Sequence, residues 1–270
     1  MKRIIKSVKN QIVKLGQQLY PYKDIIQWVD KNSKSYKDTK FYTLVHVGAH
    51  LGQEAPAYEK LNIQNVVWVE ADPKTFELLQ ENLKKRTESQ TIHKAFNCLL
   101  TSQDNLEYQF HVFSNQGASS SIFKSTNLLK KNWSDVHETG EIFNLNSITL
   151  DSFLSQNNIS PDLLLIDVQG SELEVLKGAH RTLTRTRIKA IELEVSKQAI
   201  YEGGCLYDEI DSFLTLHGFS RMSFVPWHGN VLYVRDPKKL DLFKVKVADL
   251  FVGLLTMLQY LTRNLSLFRN

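Results

Sequence analysis

Cysteine is scarce: Cys98 and Cys205 are the only two in 270 residues. Neither their number nor their spacing suggests a disulfide framework or a zinc site, so a reducing compartment, the cytoplasm, is the expectation. A membrane-spanning segment is missing as well. The apolar run Val247 to Leu261, with Asp249 as its single charge, falls short of the roughly 20 residues that cross a bilayer. At the N-terminus, polar residues break every apolar run before a secretory core of about 7 residues can form. A basic patch in the body of the chain is also absent. The net charge of +4 comes from the ends: residues 1–40 hold 10 Lys/Arg against 3 acids and residues 237–270 hold 6 against 2, while residues 41–236 hold 17 against 24. Nucleic acid is therefore not an expected partner. Lastly, no G-x-G-x-x-G stands after an apolar run, which weakens a reading as an NAD-dependent oxidoreductase.

What is present begins at Thr43-Leu-Val-His-Val-Gly-Ala-His-Leu-Gly52. An apolar run stops at Gly48, and an amphipathic stretch with Ala55, Tyr58 and Leu61 starts soon after, which reads as strand, glycine turn and helix. Gly48 and Gly52 permit positive φ and close approach of a ligand to the backbone at the helix start. A second strand, Val66 to Val69, ends in Glu70, 22 residues after Gly48. An acid at the tip of the second strand of a doubly wound sheet is placed to accept both hydroxyls of a ribose, so a nucleoside-containing cofactor is expected. The competing reading is that the glycines only end a strand and start a helix.

Asp72-Pro73 opens a helix to about Arg86, with Asp72 as its cap. Ala95 to Leu100 and Leu106 to Phe113 read as strands, and the small polar loop Ser114 to Ser121 between them and the unreadable residues 124–146 is either a turn or a contact to cofactor or substrate. Ile148 to Leu150 is a short strand candidate and Asp151 a cap for a helix Ser152 to Gln156. Pro161-Asp-Leu-Leu-Leu-Ile-Asp167 is a continuous apolar run ending in a carboxylate, as in a central parallel strand whose end faces a site. A helix Glu172 to Leu183, a strand Ile188 to Val195 carrying Glu192 and Glu194, and a helix Leu206 to Leu216 follow. Phe219 to Val225 and Asn230 to Arg235 flank Trp227-His-Gly as a closing hairpin. The expected fold is thus α/β: a mostly parallel sheet of about seven strands with a C-terminal antiparallel hairpin. Three regions are expected: basic amphipathic helices and a Lys/Ser-rich linker over 1–40, the domain over 41–236, and an apolar, basic helical tail over 237–270.

Four stretches, Val45-His-Val-Gly-Ala-His-Leu-Gly52, Val69-Glu-Ala-Asp-Pro73, Leu164-Leu-Ile-Asp-Val-Gln-Gly-Ser-Glu172 with Val175-Leu-Lys-Gly178 behind it, and Ile191-Glu-Leu-Glu194, resemble the FkbM-type S-adenosylmethionine-dependent methyltransferases. The resemblance spans roughly residues 43–235. It implies the class I methyltransferase fold, which is Rossmann-like, and methyl transfer from S-adenosyl-L-methionine to an oxygen of a small acceptor, often a sugar or natural-product hydroxyl. The chain departs from the family pattern at His46, where Asp is usual, at Leu165, where Lys is common, and at Gln169, where Glu is usual. These departures motivate the alternative of a cofactor-binding but non-catalytic subunit or scaffold.

The cofactor side is expected at Gly48, Ala49, His50, Gly52, Glu70, Asp72 and Asp167. Asp167 is the candidate base or metal ligand, its rival role being a cap on the next turn. Glu172, opening a helix, and Glu194, ending the neighbouring strand, complete the catalytic candidates. Asp167 and Glu194 as an oxygen-only pair would suit Mg²⁺, which would bind a sugar diol. His50 and His228 are alternative bases. The terminal helices, residues 2–19 and Leu240 to Phe268, pack either on the domain or a second copy, as in a homodimer, or lie peripherally in a membrane interface.

Overall fold

The computed structural model describes residues 18–35, 41–184 and 187–267. The basic helix expected over 2–19 therefore lies outside the described residues except for Gln18 and Leu19, which are helical. Helix α1 (Ile25–Ser35) runs into the stretch read as linker. Strand β1 (Thr43–Val47), helix α2 (Ala55–Lys60), strand β2 (Asn65–Glu70), helix α3 (Pro73–Lys84) and strand β3 (Ile92–Asn97) then alternate as expected.

Strands β4 (Leu99–Thr101), β5 (Glu107–Phe113) and β6 (Glu138–Thr149) form a separate three-stranded sheet in the order β4-β6-β5, with the short helix α4 (Asn127–Asn132) between β5 and β6. Of β6 the sequence showed only the end, as the candidate Ile148 to Leu150, of which Leu150 belongs to the next helix; the rest was hidden because the apolar residues Ile142, Phe143, Leu145 and Ile148 break strict alternation. Helix α5 (Leu150–Gln156) is capped by the Thr149 hydroxyl, which accepts from Ser152 N–H. Asp151 is not its cap; that carboxylate accepts instead from the N–H groups of Arg181 and Thr182 and the Thr182 hydroxyl. After strand β7 (Leu163–Ile166) the expected single helix is split into α6 (Glu172–Lys177) and α7 (His180–Thr184). At the split, Gly178 passes so close to the Thr101 carbonyl that a Cβ would overlap it. Strand β8 (Ala190–Ser196), helix α8 (Tyr207–Leu216), strands β9 (Phe219–Arg221) and β10 (His228–Arg235) and helix α9 (Lys239–Leu267) complete the chain. His228 and Gly229 belong to β10, not to the hairpin turn.

The main sheet has seven strands in the order β3-β2-β1-β7-β8-β10-β9, with β10 antiparallel to both neighbours and the rest parallel. This is the class I methyltransferase arrangement. From β1 the chain winds outward through β2 and β3, then returns to place β7 on the other side of β1. That reversal opens a crevice at the C-terminal ends of β1 and β7, where ligands bind in open α/β sheets.

Alternate residues feed two cores. Val45, Val47, Leu164, Ile166, Ile191 and Leu193 face one; Leu44, Trp68, Leu163, Leu165, Ala190 and Leu232 face the other, which α1 and α9 help to cover through Ile25, Trp28, Val29, Val245 and Ala248. Tyr20 and Tyr22 tie α9 down by donating to Asp249 (2.6 Å) and Asp241 (2.9 Å). The opposite side of α9 exposes Leu240, Phe243, Val247, Leu250, Leu254 and Met257, a stripe at alternating spacings of 3 and 4. Among the described residues, no helix is long and apolar enough to cross a membrane.

Candidate active site

Four strand ends build the site. On β1, Gly48 takes φ +78°, and a Cβ there would overlap the Asp167 carbonyl oxygen. Only glycine lets β1 and β7 leave the sheet this close together. The N–H groups of Gly48 and Ala49 both donate to Val69 O (2.9 and 3.0 Å), which fixes the turn against β2. At the end of β2, Glu70 is buried, and its two oxygens accept from His50 N–H (2.8 Å) and Asp72 N–H (2.9 Å). Burial pushes its pKa up against those donors.

Gly48, His50, Glu70 and Asp167 line one narrow cleft, together with Cys98 to Leu100 and with Gly117, Ala118 and Ser120 from the loop after β5. That loop is strapped over the glycine turn by a 2.9 Å hydrogen bond between His50 Nε2 and Gln116 O. Three predicted residues sit elsewhere. Ala49 is buried under the turn, Gly52 packs on Leu79 of α3, and Asp72 caps α3 as expected, its Oδ1 accepting from Lys74 and Thr75 N–H. A roomier hollow among the described residues, lined by residues 59–65 and 85–92, lies at the opposite ends of β2 and β3, the edge where parallel sheets do not carry sites.

Across the crevice, Asp167, Glu172 and Glu194 place one oxygen each within 4.8 Å of one another. Glu172, at the start of α6, accepts from Val168 and Gly170 N–H, each at 3.1 Å. Asp167 and Glu194 share one clamp. The Gln169 amide donates one hydrogen to Asp167 Oδ1 (2.6 Å) and the other to Glu194 Oε2 (2.9 Å), while Gln169 Oε1 accepts from Tyr201 Oη (2.7 Å). Gln169 reaches both acids from a left-handed backbone, φ +54°. Glu194 Oε1 also lies 3.3 Å from His228 Nε2, whose ring is held by a 2.7 Å bond between Nδ1 and Ser196 Oγ.

Burial and crowding raise all three acids: Asp167 to about 6, Glu172 to about 7, and Glu194 well above the usual range, with the charges of Asp167 and Glu172 adding to burial. Both thiols border the site. Burial pushes Cys98 up to about 12; Cys205, 3.5 Å from Glu172 Oε2, is pushed up by burial and by that carboxylate.

Two family departures find physical reasons. His46 lies in the core beneath the turn, its ring against Tyr58 and Trp68, and burial lowers its pKa to about 3. It does not line the cleft. Leu165 is a core residue of β7. One acid escaped the sequence reading: Glu54, just before α2, has a buried Oε2 with no hydrogen-bond partner among the described residues. Burial raises its pKa, and its charge adds to the burial that raises Asp167.

A family model described as the methyltransferase FkbM domain matches residues 46–221. The chain belongs to the FkbM methyltransferase family. This FkbM domain is 39% identical over 77 residues to the 2-O-methyltransferase NoeI of Sinorhizobium fredii (strain NBRC 101917 / NGR234); the match spans 27% of this chain and 31% of that protein, about a third of the relative's length. Solved structures similar to it include magnesium protoporphyrin IX methyltransferase from Synechocystis PCC 6803 with bound SAM (TM-score 0.41, 10% identity, 78% of this chain and 76% of that one). Another is a SAM-dependent methyltransferase from Aquifex aeolicus (TM-score 0.39, 12% identity, 83% and 96%).

Proposed function

We propose that this FkbM domain transfers a methyl group from S-adenosylmethionine to a hydroxyl oxygen of a small acceptor, a sugar or glycan. The observation that carries the reading is Asp167, whose carboxylate lines the same cleft as Gly48 and Glu70 on one side and is clamped to Glu194 on the other. The O-methyl specificity is also that of NoeI, over the third of it that matches.

The groups lining the cleft support the cofactor part of this reading. Each Glu70 oxygen accepts one N–H and retains a lone pair for a ribose hydroxyl, and the bare Gly48 turn offers backbone without a Cβ. Glu54 Oε2, buried and without a hydrogen-bond partner among the described residues, and near enough to Asp167 for its charge to raise that group, is an acid suited to a ligand ammonium group, the role that a strand aspartate in place of His46 would take. When bound, the cofactor supplies the methyl group as an electrophile on a sulfonium.

The residues of the chain then orient the acceptor and take its proton. Asp167, with a pKa near 6, is ionised at neutral pH yet basic enough to receive a hydroxyl proton. Its Oδ1 is held by Gln169, and its Oδ2 carries no hydrogen bond from the described residues. Glu194 and Glu172, both raised, hold protons more readily and keep the pocket from accumulating three full charges. The Gln169 amide already lies between Asp167 and Glu194, so Mg²⁺ would bind this pair only by displacing it.

Asp167→Asn tests the assignment. The variant is expected to fold and to bind S-adenosylmethionine in a calorimeter as the parent does, while turnover on a panel of sugar hydroxyls drops by about 10²–10⁴. Unchanged turnover would remove Asp167 from the mechanism. A parent protein that binds cofactor and methylates no hydroxyl would favour the scaffold reading.

A further inference from the structure

Beside the acid cluster lies an aromatic surface that the chemistry above does not use. Trp133, just past α4, and Trp227, just before β10, stack with ring centroids 6.0 Å apart and planes inclined by 29°. Each leaves more than a third of itself in water, 36% and 38%. The pair is also held rigidly. Trp227 Nε1 reaches Gln198 Oε1 at 3.4 Å, its carbonyl accepts from Lys197 N–H, and the Trp133 ring stands edge-on to His228 at 5.0 Å. From His228 the contacts run on without a break to Glu194 (3.3 Å), then through Gln169 (2.9 Å) to Asp167 (2.6 Å).

We infer that this tryptophan pair is the acceptor subsite and takes the apolar face of a sugar ring. The inference rests on the proposed methyltransferase reading and names where its acceptor sits. A sugar ring carries C–H groups on its face and hydroxyls on its rim, which matches indole surface with Gln198 and His228 against it and Ser196 and Glu194 behind His228. Placed there, the ring has its hydroxyls on the side of the carboxylates.

The test uses the full chain in the presence of S-adenosylhomocysteine, probed on an array of immobilised mono- and oligosaccharides and with vesicles of phosphatidylcholine and phosphatidylglycerol. The parent is expected to bind a restricted set of sugars, Trp133→Ala and Trp227→Ala to lose the signal at least tenfold, and Trp227→Phe to keep most of it. Calorimetric affinity for S-adenosylhomocysteine should stay within about twofold in all three variants, which separates loss of the subsite from loss of the fold. No sugar bound by the parent, equal binding by the alanine variants, or tryptophan-dependent binding to vesicles alone would each overturn the inference. Methyl transfer to a sugar with unchanged KM in both alanine variants would overturn the subsite and leave the methyltransferase reading standing. Tryptophan-dependent sugar binding without methyl transfer would do the reverse.

Discussion

Glu70 and Asp167 end the two strands that flank β1, yet they are held in different ways. Glu70 meets two backbone N–H groups, one per oxygen, from His50 and Asp72. Asp167 and Glu194 share a single side-chain amide, with a histidine ring beside Glu194. Backbone donors move only if the turn moves, so the Glu70 side is fixed as firmly as the fold. The Asp167 side depends on side chains from β7, β8, β10 and the loops around Gln169 and Tyr201, and its charge is only partly met. One half is suited to hold a ligand in place, the other to exchange a proton.

The sharpest way to break this contrast is Gly48→Ala. A Cβ at φ +78° would have to push β1 from the Asp167 carbonyl and so disrupt both halves at once. A loss of more than about 3 kcal/mol is expected, read as a collapse of the denaturant midpoint. An unchanged midpoint would mean that the two strands are not wedged together as described.

Glu70→Ala acts on one half alone. It removes a charged acceptor worth about 1.5–3 kcal/mol and leaves two N–H groups to water. Affinity for S-adenosylmethionine is expected to fall roughly 10- to 100-fold; a change within about twofold in the calorimeter would dismiss Glu70 as the ribose anchor.

The smallest expected effect is in the pH profile of stability. Asp167, Glu172 and the buried Glu192 have folded pKa values raised to about 6, 7 and 7. Such groups favour the folded state while protonated, so their contribution is complete below about pH 4 and is lost as pH rises through 6 to 7. Carboxylates with lowered values, such as Glu59 beside Arg86 at about 2, act the opposite way but have finished titrating by pH 5. The buried, neutral His46, at about 3, also acts the opposite way up to about pH 6.5, so stability should decline by on the order of 1–2 kcal/mol between pH 6.5 and pH 8, and Glu172→Gln should flatten that slope. A flat profile in the parent would indicate that the acids are better solvated than their burial implies.

The same contrast explains what could be read from sequence. Gly48, Glu70 and Asp167 each end an apolar run, and the period of a strand together with the winding of a parallel sheet brings such ends to one edge. The seven-stranded sheet was legible for that reason. Gln169 was visible only as a departure from the family pattern. Its role as a clamp depends on a left-handed backbone and on Glu194 and Tyr201, 25 and 32 residues away, which no local pattern encodes. Asp72 was legible as the cap of α3, which it is, and Gly52 as a glycine of positive φ, which it has; that Gly52 uses its missing Cβ to pack on Leu79 of α3 was not. Trp133 was illegible because it follows the short helix α4 in the least periodic stretch of the chain, and its meaning comes from Trp227, which stands against it in space.

The raised thiol pKa values of Cys98 and Cys205 have a practical side. A thiol reacts with maleimides and methanethiosulfonates as its thiolate, so both native cysteines should be nearly silent to such labels at neutral pH. The parent chain can thus serve as its own background. Leu250→Cys or Met257→Cys on the exposed stripe of α9 would then carry a single spin label without replacement of either native residue. The mobility of that label on concentrating the protein, or on adding vesicles, would report whether the stripe stays in water, meets a second copy, or lies down on lipid.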